Sequence, residues 1–156
     1  MSDDLSDDLM KLDNQFCFAV YACAREITKL YHPLLKDLNL TYTQYITLLA
    51  LWERDDISVK ELGERLYLDS GTLTPLLKKL EAAGYVKRVR DPNDERSVRI
   101  LLTEDGRALK LKACTIPEQL YRLAGAEAEE LMAVRDQMAA LLKRIHRSEE
   151  PDDPAP

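Results

Sequence analysis

Residues 68–103 read LDSGTLTPLLKKLEAAGYVKRVRDPNDERSVRILLT, and the fold turns on how this stretch divides. In its first half Leu73, Leu76, Leu77 and Leu80 recur at the spacing of a single helical stripe. On a 100° wheel the opposite face holds Gly71, Thr72, Pro75, Lys78, Lys79 and Ala82. Asp69 or Ser70 can cap the start, and Gly84 fits the residue just past the end. Pro75 lacks a backbone N–H and belongs near the helix start. In the second half, "YVKRVRD" and "RSVRILLT" alternate in the manner of strands, joined by the turn residues "PNDE". The stretch therefore reads as a helix with a small, hydroxylated, basic outer face, followed by a β-hairpin with a charged tip.

Upstream, "LTYTQY" places Thr41 and Gln44 as a capping box, with Leu40 and Tyr45 spaced for a hydrophobic staple, and the helix continues through Trp52. "SVKE" repeats the box with Ser58 and Glu61 and opens a short helix to about Tyr67. Short capped helix, tight turn, second helix and hairpin is the order of a winged helix-turn-helix. From Leu12 to Leu30, apolar residues at 12, 16, 20, 23, 27 and 30 form one stripe of a long helix, and Cys17, Tyr21, Ala24, Thr28 and Tyr31 form a second. Two stripes mean burial on more than one side, against a partner helix of this chain or of another subunit. Pro33 marks a turn or the start of another short element. A helix follows Thr103 to Leu111 or beyond, Pro117 kinks or breaks it, and a final amphipathic helix runs from about Ala126 to Arg144.

The expected class is mainly α with a small β-hairpin, in a single domain over residues 1–156. Residues 1–40 form an N-terminal helical dimerisation and sensor region, 41–104 the winged helix-turn-helix, and 105–147 the C-terminal dimerisation helices. Residues 148–156 are too acidic and proline-rich to order themselves. No run approaches the roughly 18 apolar residues that span a bilayer, and the acidic N-terminus lacks the form of a secretory signal, so no membrane role and a cytoplasmic location are expected. Three cysteines suit free thiols in a reducing compartment better than a disulfide framework.

The net charge of −6 is misleading about partners. Four acids lie in residues 1–8 and four in 149–156, and setting those eight aside leaves the remainder at +2. Residues 78–99 carry seven basic and four acidic side chains, a local excess that suits phosphates. A helix that fills the major groove reads base edges with its N-terminal residues, here Ser70, Thr72 and Thr74, with Lys78 and Lys79 further along. The hairpin would carry Lys87, Arg88, Arg90, Arg96 and Arg99 beside the neighbouring backbone, with Arg96 entering the minor groove and Asp94 holding its guanidinium. A double-stranded DNA operator is the partner this implies. No phosphate-cradling glycine loop appears, and His32, His146 and the cysteines lack metal-ligand spacing, so neither cofactor nor metal is expected.

The segment "LYLDSGTLTPLLKKLEAAGYVKRVRDPNDERSVRILLTEDG" resembles the DNA-binding core of MarR-family transcriptional regulators, including their "DERS" wing signature. "LDNQFCFAVYACAREITKLYHPLL" followed by "LNLTYTQY" resembles specifically the organic hydroperoxide resistance type, OhrR, of that family. The resemblance implies a homodimeric repressor with Cys17 as its peroxide-reactive residue and Tyr31 and Tyr42 as the partners of that sulfur. On a continuous helix Tyr31 lies about 21 Å along the axis from Cys17, so any contact must come from an antiparallel partner subunit. Tyr21, one turn from Cys17, is near enough within the same chain. Phe16 and Phe18 could offer an apolar surface to an organic hydroperoxide. Two-cysteine members resolve the oxidised sulfur with a second cysteine of the partner, which makes Cys114 the candidate; here it precedes "IPEQL", whereas a resolving cysteine is expected after such a segment, and packing alone reads it as a core residue. Cys23 points away from Cys17 on the wheel and reads as core, and Met10, Met132 and Met138 as core or interface filler. Two alternatives remain: a regulator released by a small aromatic ligand with Cys17 inert, and a thiol peroxidase.

Overall fold

Both capping boxes form. Thr41 Oγ1 accepts from Gln44 N while Gln44 Oε1 accepts from Thr41 N, and Ser58 and Glu61 repeat the exchange. The computed structural model describes residues 7–149. A short 3-10 turn precedes α1 (Phe16–Lys36), followed by α2 (Tyr42–Glu53), β1 (Ile57–Ser58), α3 (Val59–Leu66) and α4 (Ser70–Ala82). The hairpin is β2 (Val86–Asp91) and β3 (Asp94–Leu102), and α5 (Glu104–Ala113), α6 (Ile116–Ala124) and α7 (Ala128–Glu149) complete the chain. The sheet is antiparallel in the order β1-β3-β2, with Ile57 opposite Ile100 and Arg88 opposite Ile100 from the other side. The expected tail from residue 150 onward lies outside the described residues.

The core is the winged helix-turn-helix itself. Leu73, Leu77 and Leu80 of α4 are buried beside Leu48, Leu51, Leu62, Val86 and Ile100, and the staple pair Leu40 and Tyr45 closes the near end. The turn between α3 and α4 is tight because Tyr67 takes a left-handed conformation at φ 55° and Leu68 N donates to the Gly63 carbonyl. A side chain at Gly63 would put its Cβ 2.8 Å from the Leu68 carbonyl oxygen, so the turn requires glycine. Asp69, not Ser70, caps α4 by accepting from Thr72 N at 2.8 Å, and Gly84 ends it with a Schellman pair, Tyr85 N to the Leu80 carbonyl and Gly84 N to that of Glu81.

Four expectations shift. Pro33 neither turns nor restarts the chain: α1 runs straight through it, because the buried Leu35 holds the last turn against the core. Pro75 sits in the second turn of α4, where the carbonyl it leaves unbonded, that of the exposed Gly71, is open to water. The hairpin loop is only Pro92 and Asn93, shorter than "PNDE", since Asp91 and Asp94 pair as strand residues. The last helix runs past Arg144 to Glu149, whereas the break expected at Pro117 does occur, with Pro117 in the first turn of α6.

Asp55, after α2, ties three elements together. Its carboxylate accepts from Leu102 N at 2.8 Å, Asp56 N at 2.8 Å and Arg107 Nη2 at 2.6 Å. Burial pushes this carboxyl up, but the Leu102 amide, the Arg107 guanidinium and the Asp56 amide together hold it below the ordinary aspartate value. Beside it, the start of α5 is locked on two sides. Trp52 Nε1 donates to the Gly106 carbonyl at 2.9 Å, and Thr103 Oγ1 donates to the Gly84 carbonyl at 2.6 Å while accepting from Gly106 N.

A Cβ at Gly106 would stand 2.1 Å from the Tyr85 carbonyl oxygen, backbone against backbone. Gly106→Ala should therefore destabilise the fold by about 1–3 kcal/mol in urea titrations. Because the folded Asp55 carboxyl lies below its unfolded value, its stabilisation is present above that unfolded value and is lost as the pH falls through the folded one. Stability curves of the wild type and Asp55→Asn, taken from neutral pH down through the acid range, should therefore converge.

Candidate nucleic-acid interface and thiol site

The outer face of α4 stays clear because its four leucines turn inward. Ser70, Thr72, Lys78 and Lys79 are exposed along it and Thr74 is half-buried. Lys87, Arg90 and Arg96 are exposed on the hairpin. Between α3, α4 and β3 lies a cleft of about 550 Å³ that takes in Ser70, Thr74, Asp94 and Arg96. A helix with free hydroxyls and ammonium groups beside a cationic hairpin can face a duplex without burying an apolar side chain.

Three of the charged residues named from sequence sit differently from that reading. Asp94 Oδ1 accepts from the backbone N–H of Arg96 at 3.0 Å and leaves the Arg96 guanidinium in solvent, because a carboxylate two residues away closes a local turn first. Arg99 donates to the Asp56 carboxylate at 2.7 Å and to the Asp56 carbonyl, with Asp91 at 3.6 Å, so it braces β3 against the loop before β1. Arg88 turns back onto Glu81 of α4. Neither Asp56 nor Glu81 stands out in the sequence as a partner, since each pairs across elements at a spacing no local pattern marks.

The thiol region divides between the two ends of α1. Cys17 is exposed in its first turn, flanked by the exposed Phe16 and Phe18. Tyr21, one turn on, accepts from Arg25 Nη1 at 2.7 Å, which leaves its hydroxyl hydrogen free to be donated. At the other end, the Tyr31 ring lies 4.8 Å from that of Tyr42 and 5.7 Å from that of Tyr45. Burial, then the neighbouring phenols Tyr42, Tyr45 and Tyr121, push the Tyr31 hydroxyl well above the ordinary tyrosine value; burial raises Tyr42 and Tyr45 as well. Tyr121, which the sequence reading did not single out, belongs to this cluster through the packing of α6 on α1. Because α1 is continuous, the chain does not bring Cys17 to Tyr31; about 21 Å of helix separates them.

The remaining thiols are also exposed. Cys23 is not a core residue, and neither is Cys114, whose Sγ donates to the Leu111 carbonyl at 3.0 Å at the end of α5. Both lie on surfaces that this chain alone does not cover, as do Met10, Met132 and Met138. The apolar periodicity of α1 is real, but its stripe residues Leu12, Phe16, Val20 and Ile27 face outward. Among the described residues no cluster could hold a metal ion and no helix is long and apolar enough to cross a membrane.

A family model described as transcriptional regulator SarA/Rot matches residues 29–112. The organic hydroperoxide resistance transcriptional regulator of Bacillus subtilis (strain 168) is 51% identical over 140 residues, covering 90% of this chain and 95% of that protein. A mutant MarR of E. coli complexed with operator DNA superimposes with a TM-score of 0.71 at 25% identity, over 80% of this chain and 91% of that one. The chain belongs to the MarR family of transcriptional regulators. Its relatives place it with the organic hydroperoxide resistance type of that family and make it a regulator rather than an enzyme, which removes the thiol peroxidase alternative. Another MarR-type winged helix protein, reduced AbfR of Staphylococcus epidermidis bound to DNA, matches at a TM-score of 0.74 and 33% identity, over 91% of this chain and 99% of that one. The same AbfR in its disulfide-formed state matches at 0.58.

The phenol cluster gives an alkaline test. Phenols raised by folding stabilise fully below the unfolded value near 10, and that contribution is lost as the pH climbs through the folded value. A spectrophotometric titration at 295 nm, run up through the ordinary tyrosine value near 10, checks this. The absorbance of Tyr31, Tyr42 and Tyr45 should appear above that value, together with unfolding.

Proposed function

We propose that this MarR-family regulator is a homodimeric, cytoplasmic repressor that grips a double-stranded operator and releases it when an organic hydroperoxide oxidises Cys17. In this reading α4 enters the major groove with Ser70, Thr72 and Thr74 toward base edges and Lys78 and Lys79 toward phosphates. The hairpin lies along the adjoining minor groove with Arg90 and Arg96. The observation that carries the sensing is the division of α1, with an exposed thiol at one end and, at the other, a cluster of buried and half-buried phenols whose hydroxyls are held above the ordinary tyrosine value. An antiparallel copy of α1 would superpose the two ends. Cys17 then meets Tyr31 and Tyr42 of the partner subunit, with Tyr21 of its own helix alongside.

The chemistry follows from that meeting. Protonated phenols donate to the sulfur and favour the thiolate, which is the nucleophile. The thiolate attacks the outer oxygen of the hydroperoxide and the O–O bond breaks. The departing alkoxide takes a proton and leaves as the alcohol, and the sulfur, two electrons poorer, is a sulfenic acid. A larger, polar sulfur no longer fits the phenol contacts. The two subunits shift, and the recognition helices leave their half-site spacing. Support for hydroperoxide as the effector comes from the name of the Bacillus subtilis relative.

Cys17→Ser should bind operator as the wild type does, because no DNA contact is lost. Operator binding is read by fluorescence anisotropy at fixed salt before and after cumene hydroperoxide. The wild type should weaken by at least about tenfold while the serine variant stays unchanged. Release of the serine variant by peroxide would end this reading.

A further inference from the structure

Among the described residues, Arg88 is the one hairpin cation gripped by the recognition helix. Its Nε donates to Glu81 Oε2 at 2.8 Å and its backbone N–H donates to Glu81 Oε1 at 3.1 Å. One carboxylate therefore takes both a side-chain and a main-chain donor of the same residue, and it does so on the free edge of β2. The two side chains are about one-third exposed, at 32% and 36%. These contacts, the Arg88 guanidinium first, hold the Glu81 carboxyl below the ordinary glutamate value. Glu81 lies in the last turn of α4 and Arg88 near the start of the hairpin, so the pair bridges the turn at Gly84.

We propose that Arg88 is a positioning residue for DNA binding: with Glu81 it fixes the angle between the recognition helix and the wing, and it contacts no phosphate. A winged helix-turn-helix reads a duplex at two places at once, a helix in the major groove and a hairpin beside it. Both can engage only if their separation is set before contact. Lys87, Arg90 and Arg96, exposed on the same hairpin, have no acid partner among the described residues and are left for phosphates. For Arg88 to join them it would have to abandon Glu81, stranding a bare carboxylate and an unpaired edge N–H beside a polyanion.

The two roles give opposite signs at Glu81. The probe is a duplex selected by the wild-type protein from a randomised 30-bp library, and affinity is read by anisotropy between about 50 and 200 mM KCl. If the pair positions the wing, Glu81→Gln and Arg88→Gln should each weaken binding about tenfold, and the double variant should be no weaker than either. The slope of log affinity against log salt should stay at the wild-type value for all three. The exchanged pair Glu81→Arg with Arg88→Glu should recover most of the loss, which a variant that merely failed to fold would not do. Hydroxyl-radical footprints at saturating protein should keep both wing and major-groove protection in the single variants, since the bound contacts are the same and only the cost of aligning them has risen. If Arg88 instead holds a phosphate, Arg88→Gln flattens the slope by about 0.9, and Glu81→Gln, relieved of a repelling charge, binds as tightly or more tightly. Either of those results, or an exchanged pair that recovers nothing while retaining its thermal transition, overturns the proposal.

Discussion

The inward leucines of α4 are the constraint from which the surface proposed to meet DNA follows. Leu73 and Leu80 are wholly buried and Leu77 nearly so, and they carry the helix against α2, α3 and the base of the hairpin. Because these anchors sit on one stripe, the other side of the helix can be hydroxylated and cationic with no loss of packing. The turn at Gly63 and the cap at Asp69 then set where the helix begins, and with it which residues occupy the first exposed turn. The proposed function sits on the face that stability does not need.

A second economy governs the ends of the chain. The described core lies in the winged helix-turn-helix and the joints around it, whereas Leu12, Phe16, Val20 and Ile27 of α1 and Val134, Met138, Leu142 and Ile145 of α7 remain exposed in one chain. So much apolar surface on two long helices is the mark of a subunit. The thiol and the phenol cluster lie at opposite ends of the same uncovered helix, so the chemistry proposed for them exists only in an assembly.

What could be read in the sequence was what is local. The Thr41 and Ser58 capping boxes, the staple of Leu40 and Tyr45, the cap at Asp69 and the end at Gly84 all depend on residues within five positions of one another, and each formed as written. Periodicity finds α1 but cannot name its neighbour, since an apolar stripe has the same pattern whether it faces a core or another subunit. Cys23 reads as core for that reason, and Cys114 because an unpaired cysteine is usually a buried residue, yet both are exposed. Strand β1 escaped because two residues carry no alternation, and Pro33 misled because tertiary burial of Leu35 outweighs one missing hydrogen bond. The partners of Arg88, Arg99 and Asp55 were out of reach for a further reason. They join residues that only the closed sheet brings together.

The hydrogen bond from Trp52 to the Gly106 carbonyl has a use beyond bracing. This chain has one tryptophan, and its half-buried indole sits where the second helix meets the first turn of α5. Anything that loosens the seam between the DNA-reading module and the helices leading away from it must change the surroundings of that single ring. The molecule thus carries its own fluorescent gauge at the joint, one that reports without labels and without a second indole in the chain.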